Sequence, residues 1–213
     1  MDAAPAADDH VASPDDRLEP DGLLIILDGA SGVGKSTTAA ELCNRGIVDA
    51  TPTWTTRQPR PGETSSDYDH RFVSDEEFDA HEARGGFMDQ KTLYGNRYGV
   101  PYPRKPAPGK EALMILKPLF IAELLRNYPY ARIHQIVASK TVAEERMKQR
   151  GQTDDDIAER LRHHDRETEA ADYHSRIAFN NNGLLDETIE AMELQIRRDR
   201  RGYDLLQLMM AQT

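Results

Sequence analysis

Cysteine is almost missing from this 213-residue chain, aromatic side chains make up only 7% of it, and no apolar run is long enough to span a membrane. The lone thiol, Cys43, excludes an internal disulfide and a cysteine-rich zinc site. It falls on the apolar face of a predicted helix and reads as a structural group. The apolar stretches are strand-sized, so no membrane-spanning helix is expected. Basic charge is also short: 27 Lys and Arg stand against 37 Asp and Glu, a formal net charge of -10. Residues 1–22 hold seven acids against the single Arg17 and so carry six of those ten negative charges. A mildly acidic body argues against a general nucleic-acid surface. The same 22 residues have almost no bulky apolar side chain, and neither the basic start nor the apolar centre of a secretory signal, so a disordered acidic tail is expected there. These absences leave a cytoplasmic enzyme acting on small molecules, with no nucleic-acid or membrane partner, as a monomer or homodimer.

What is present is concentrated after the first apolar run. Leu23–Leu27 reads as a buried strand and is followed by Gly29-Ala30-Ser31-Gly32-Val33-Gly34-Lys35-Ser36-Thr37, then by a helix-forming stretch to Cys43. The spacing is that of a P-loop, G-x-x-x-x-G-K-[ST], in its strand–turn–helix context. Glycines let successive N–H groups turn inward onto phosphate oxygens. The positive helix end and the Lys35 ammonium add charge of the right sign, and the Ser36 hydroxyl can sit on Mg²⁺. ATP or a relative is the expected ligand.

Around this motif, strands and helices alternate. Strands are predicted at Leu23–Leu27, Ala112–Leu116, Ile133–Ala138 and 176–179, with a weaker one at Pro52–Thr55. Helices are predicted at Lys35–Asn44, Leu119–Asn127, Val142–Arg150, Asp156–Tyr173 and Asp186–Arg198, and a short final one at Leu205–Met210. The pattern implies an α/β P-loop sandwich with a parallel sheet, its core formed by 23–56 and 110–200. Residues 57–103 break the alternation and read as an inserted acceptor-binding lobe with one helix, Asp75–Ala83, capped by Ser74. Gly151–Asp155, flanked by arginines, suggests a mobile lid over about 146–162, and 201–213 forms a C-terminal helix. Adjacent His163 and His164, with His174 and Asp165, point in different directions on a helix and read as its solvated face rather than a metal site.

The lobe carries the second informative run: Thr55-Thr56-Arg57-Gln58-Pro59-Arg60-Pro61-Gly62-Glu63, then Asp67-Tyr68, Phe72-Val73-Ser74 and Tyr94-Gly95-Asn96-Arg97-Tyr98-Gly99. Two arginines three apart in a proline-stiffened loop make a fork for a phosphate dianion, and Tyr68 and Tyr98 can donate phenolic hydrogen bonds to it. A second phosphate pocket beside a P-loop points to phosphoryl transfer. From about Leu23 to Ile196 the chain resembles the guanylate kinase family. The resemblance implies that Arg57, Arg60, Tyr68 and Tyr98 bind the acceptor's monophosphate and that Gly29–Thr37 holds ATP. It also implies that the lid arginines Arg146, Arg150 and Arg160 act with Lys35 in catalysis.

The base pocket departs from that family. Resemblance places Thr53, Asp89, Val100 and the Leu116-Lys117 neighbourhood where guanine would be read. Thr53 keeps a hydroxyl and Asp89 a carboxylate one methylene short; Val100 loses a donor, and Leu113–Lys117 contains no acid. An unmatched polar edge costs about 1–3 kcal/mol. GMP or dGMP is the expected acceptor. The alternatives are a modified or non-guanine nucleotide, a ribose bisphosphate, or a non-catalytic domain that binds peptides. A whole P-loop speaks against the last.

Overall fold

A computed structural model of the chain describes residues 13–212 other than 62, 94, 175 and 176. Residues 1–12 of the expected tail, Gly62 and Tyr94 of the lobe motif, and Arg176 at the expected start of the last strand lie outside the described residues. So does the side chain of His174.

Strand β1 (Leu24–Asp28) is buried on both faces. It lies at the centre of a five-stranded parallel sheet, between β7 (Glu111–Ile115) and β8 (Arg132–Val137), with β2 (Val48–Ala50) and β9 (Ile177–Asn180) at the edges. Period-two alternation divides its side chains. Ile25 and Leu27 enter a core with α1 (Lys35–Asn44) and α6 (Leu185–Met210), through Leu42, Ile189, Met192 and Ile196. Leu24 and Ile26 enter a second core with α3 (Pro118–Asn127), through Phe120, Ile121 and Leu124. This is the α/β sandwich expected from the alternation. No described helix is long and apolar enough to cross a membrane.

A second sheet of four strands is ordered β4 (His70–Phe72), β3 (Thr53–Thr55), β6 (Asn96–Pro101), β5 (Phe87–Leu93). The helix α2 (Asp75–Ala83) starts at Ser74 in a complete capping box with Glu77, as the Ser-x-x-Glu pattern predicts. Phe78, fully buried, packs on Phe87, and Trp54 stacks on His81 with ring centroids 4.0 Å apart. Beyond α4 (Lys140–Gln149), Gly151 turns in the left-handed region (φ 74) into α5 (Asp154–His174).

Three expectations need correction. Thr53–Thr55 does not extend the parallel sheet; it pairs with β4 and β6 in the second sheet, and the parallel edge strand is Val48–Ala50. Residues 13–22 of the acidic segment pack on the body: Leu18 is buried in the second core, its N–H donates to Pro103 O at 2.8 Å, and the Tyr128 hydroxyl donates to its carbonyl at 3.3 Å. One leucine in a polar segment is enough, because the proline-rich connector at 101–109 offers free backbone groups. Finally, Leu205–Met210 is not a separate docked helix. It is the last part of α6, and Leu205, Leu208, Met209 and Met210 are exposed.

Candidate active site

Residues 29–34 turn between β1 and α1, with Gly29 at φ 139 and Gly34 at φ 105. A Cβ on Gly34 would lie 2.5 Å from Asn181 Nδ2, so only glycine fits that turn. The turn is braced on both sides. Asp28 Oδ1 accepts from the Gly29 N–H at 2.6 Å. Asn181 Nδ2 and Arg146 Nη1 donate to Val33 O at 2.8 and 3.0 Å, and Arg146 Nη2 donates to Asn181 O at 2.8 Å. Lys35 Nζ donates to Gly29 O (2.7 Å) and Ala30 O (2.8 Å), so its ammonium lies across the curl of the loop. Burial lowers its pKa, while Glu167, Asp69 and Asp28 work in the other direction. The Ser31 N–H, a donor suited to a phosphate oxygen, donates to Glu167 of α5 at 2.8 Å. Beside the loop, Gly34, Thr37, Arg146, Arg150, Asn181 and Gly183 line a cavity of 330 Å³.

The second cradle is built around Glu63. Its carboxylate accepts from Arg57 Nη1 (2.8 Å), Arg60 Nη1 (3.3 Å) and the Arg60 N–H (3.0 Å), which binds the two guanidiniums into one unit. Burial alone would raise the Glu63 pKa; the Arg60 amide and the Arg57 and Arg60 charges override it and hold the group at about 2. Arg57 also lies over the Phe72 ring. The parallel register Thr53↔His70 lets the Thr53 hydroxyl contact His70 Nδ1 at 2.7 Å, and the His70 ring lies 6.4 Å from that of Tyr98. Burial lowers the His70 pKa; Asp69 opposes this, and Arg57 and Lys117 reinforce it. On the neighbouring hairpin, Asp89 faces Val100 in register, and its carboxylate holds Lys91 Nζ at 2.5 Å.

The two cradles meet. The Ser36 hydroxyl of the loop donates to Asp69, the residue before β4. Arg160 of α5 donates to the Ser31 hydroxyl through Nε (2.8 Å) and Nη2, and to Gln152 Oε1 at 2.5 Å. Burial, with the positive charges of Arg60 and Arg57, pushes the Arg160 pKa down to about 10 against the pull of Glu63 and Glu167. Arg160 therefore touches the loop and feels the charges of Arg57 and Arg60 at the same time. Lys117, between β7 and α3, places its ammonium 4.4 Å from the Tyr98 ring centroid.

The sequence-derived residues divide accordingly. Lys35, Ser36 and Arg160 meet at the glycine turn, Arg57 and Arg60 share Glu63, and Thr53 and Tyr98 lie on either side of His70. Arg146 and Arg150 line the cavity beside Gly34 and Thr37, Arg150 exposed, while Asp89 lies on the β5–β6 hairpin. Tyr68 is a correction. Its ring packs on the first core cluster and its hydroxyl makes no hydrogen bond among the described residues; because β4 begins at residue 70, His70 takes the place beside Thr53 and Tyr98. Asp69, His70, Lys117 and Glu167 were not assigned roles from the sequence. Counting back two residues from Phe72 along β4 would have found His70; Glu167 carried no signal, because only the docking of α5 brings it to the loop. His164 is 5% exposed, so that part of α5 is not a solvated face. No metal-binding cluster of His, Cys, Asp and Glu occurs among the described residues.

A braced glycine turn with its lysine, together with an arginine pair in the loop that leaves β3 of a second sheet, defines a P-loop phosphotransferase. Comparison with known proteins narrows this class. The guanylate kinase family model matches residues 22–199. A guanylate kinase of Thermosynechococcus vestitus is 36% identical over 159 residues, 70% of this chain and 81% of that protein. One from Synechocystis is 34% identical over 169 residues, 73% of this chain and 84% of that protein. The crystal structure of guanylate kinase from Anaplasma phagocytophilum superposes with a TM-score of 0.57 at 20% identity, covering 85% of this chain and 88% of that one, which speaks for the fold. The chain belongs to the guanylate kinase family.

Proposed function

We propose that this chain transfers the γ-phosphoryl group of ATP to the phosphate of GMP or dGMP. The observation that carries this reading is Arg160, bonded to Ser31 of the P-loop and lying in the field of Arg57 and Arg60. The loop amides and Lys35 hold the donor phosphates, and the cavity by Thr37, Arg146 and Arg150 accommodates the donor's base. Arg57 and Arg60, stiffened by Glu63, hold the acceptor phosphate, with Thr53, His70 and Tyr98 beside it. An acceptor phosphate oxygen is already ionised at neutral pH, so no general base is required. Positioning and neutralisation of developing charge by Lys35 and Arg160 supply the rate. The contact of Ser36 with Asp69 offers two oxygens of the kind Mg²⁺ prefers, the remaining ligands being phosphate and water. Those two residues would hold the ion, which supplies charge neutralisation between the phosphates.

A non-guanine acceptor is the second reading, favoured by one observation: Asp89, the only carboxylate at the base-reading positions, is engaged by Lys91. A coupled ATP-consumption assay with GMP, dGMP, IMP, AMP, UMP, dTMP and CMP tests both. GMP or dGMP should be turned over fastest; turnover confined to another nucleotide moves the assignment to that acceptor, and turnover of none overturns it.

A further inference from the structure

Four cations of the cleft are already engaged. Lys35 holds two loop carbonyls, Arg57 and Arg60 share Glu63, and Arg160 holds Ser31 and Gln152. The Lys117 ammonium makes no hydrogen bond or ion pair among the described residues; its close contact is the face of Tyr98. The side chain is half-buried, where an unpaired charge is costly until a partner arrives. Its position is fixed from both directions, by the end of β7 behind it and by Pro118 opening α3 in front. The N–H of Leu116, the residue before it, donates to Leu27 O at 3.0 Å, so Lys117 leaves β7 beside the end of β1 where the glycine turn starts, while its ammonium lies over Tyr98 of the second sheet. Burial lowers its pKa, Glu167 raises it, and Arg60, Lys35 and Arg57 lower it further. A cation in that position, with Arg60 and Arg57 on one cradle and Lys35 on the other, answers a negative charge that forms between them.

We propose that Lys117 is a further catalytic cation, touching the phosphoryl group as it passes from the donor on Lys35 to the acceptor on Arg57 and Arg60. The assignment rests on the phosphoryl-transfer reading above. In that step an acceptor phosphate oxygen forms a new bond to the γ-phosphorus. The bond from that phosphorus to the β,γ-bridging oxygen breaks, and its electron pair leaves on the ADP oxygen. No proton moves. Lys117 donates to the equatorial oxygens while charge shifts from one side to the other, and the Tyr98 face keeps the ammonium from turning away when the cleft is empty.

The test uses the full chain with ATP, Mg²⁺ and each of GMP, dGMP and IMP. Lys117→Met keeps an apolar stem over Tyr98 and removes the charge, whereas Lys117→Arg keeps it. The methionine variant should lose kcat roughly 10²-fold, to a similar extent with each acceptor that the wild type uses, with acceptor KM little changed. The arginine variant should recover a substantial part. Thermal melting of both variants separates this from unfolding, and Lys117→Gln replaces the methionine variant if that one melts early. A wild-type kcat in the uncharged variant overturns the proposal. So does a loss that appears only as a changed ratio of GMP to IMP turnover, which would make Lys117 a reader of the base. If the wild type turns over no nucleotide, the acceptor reading fails and this assignment fails with it.

Discussion

Glu63 shows how one carboxylate can hold two guanidiniums in a fixed arrangement. It is held at about 2 against an ordinary value of 4.5, so the folded chain releases this proton earlier than the unfolded chain does. Its contribution to stability is complete above pH 4.5 and is lost as pH falls from there towards about 2. Glu63→Gln should therefore lose less stability between neutral pH and pH 3 than the wild type, measured from urea midpoints. Lys35→Ala should abolish transfer. Arg57→Ala should raise the acceptor KM and leave ATP binding nearly intact; an unchanged KM would remove Arg57 from the cradle. Glu167 is the residue that only the fold reveals. Its carboxylate accepts from the Ser31 N–H, a donor of the kind that suits a phosphate oxygen. Glu167→Gln should tighten ATP binding in a calorimetric titration, because a negative charge is removed from the nest.

At the scale of elements, the second sheet with α2 has a small aromatic core of its own. Phe78 is fully buried against Phe87, and the Arg97 guanidinium lies over its ring. Phe78→Ala should cost about 3–5 kcal/mol and raise the acceptor KM well before it affects ATP affinity. Unaltered acceptor binding in that variant would separate the lobe's packing from its cradle. The helix α2 was legible because a capping box and a buried face agree over nine residues. The three-residue strands were not: Val48–Ala50 and Thr53–Thr55 are too short to show a period, and which sheet each joins depends on Glu111 and His70 far along the chain. The unbroken α6 was missed because charged residues between Ile196 and Leu205 hide its continuity, while pairing of Arg200 with Glu111 and Asp199 with His134 holds that stretch on the body.

Across the whole molecule, α5 touches the glycine turn through Arg160 and Glu167, and Arg160 also lies in the field of Arg57 and Arg60 beside the second sheet. Arg160 and Glu167 lie on that helix, so its movement would change the donor loop and the acceptor field together. Binding of a bisubstrate analogue should shrink the radius of gyration measured by X-ray scattering, as the cleft closes and excludes water. Identical profiles with and without the analogue would show a cleft already closed. The contact of Leu18 belongs to this scale too, since it ties the start of the described chain to the connector that runs from the second sheet to the first.

Local chemistry was enough to determine the glycine turn with its lysine, the arginine pair and the α/β alternation. Each depends on residues within a few positions of one another, and the backbone or a short loop sets their geometry. Tertiary structure decided what no local pattern could hold: that Glu167 reaches Ser31, and that the Lys117 ammonium lies over Tyr98 with no ion pair among the described residues. The physical reason is distance along the chain. These contacts join segments tens of residues apart, and a side chain's neighbours there are set by strand register and helix docking.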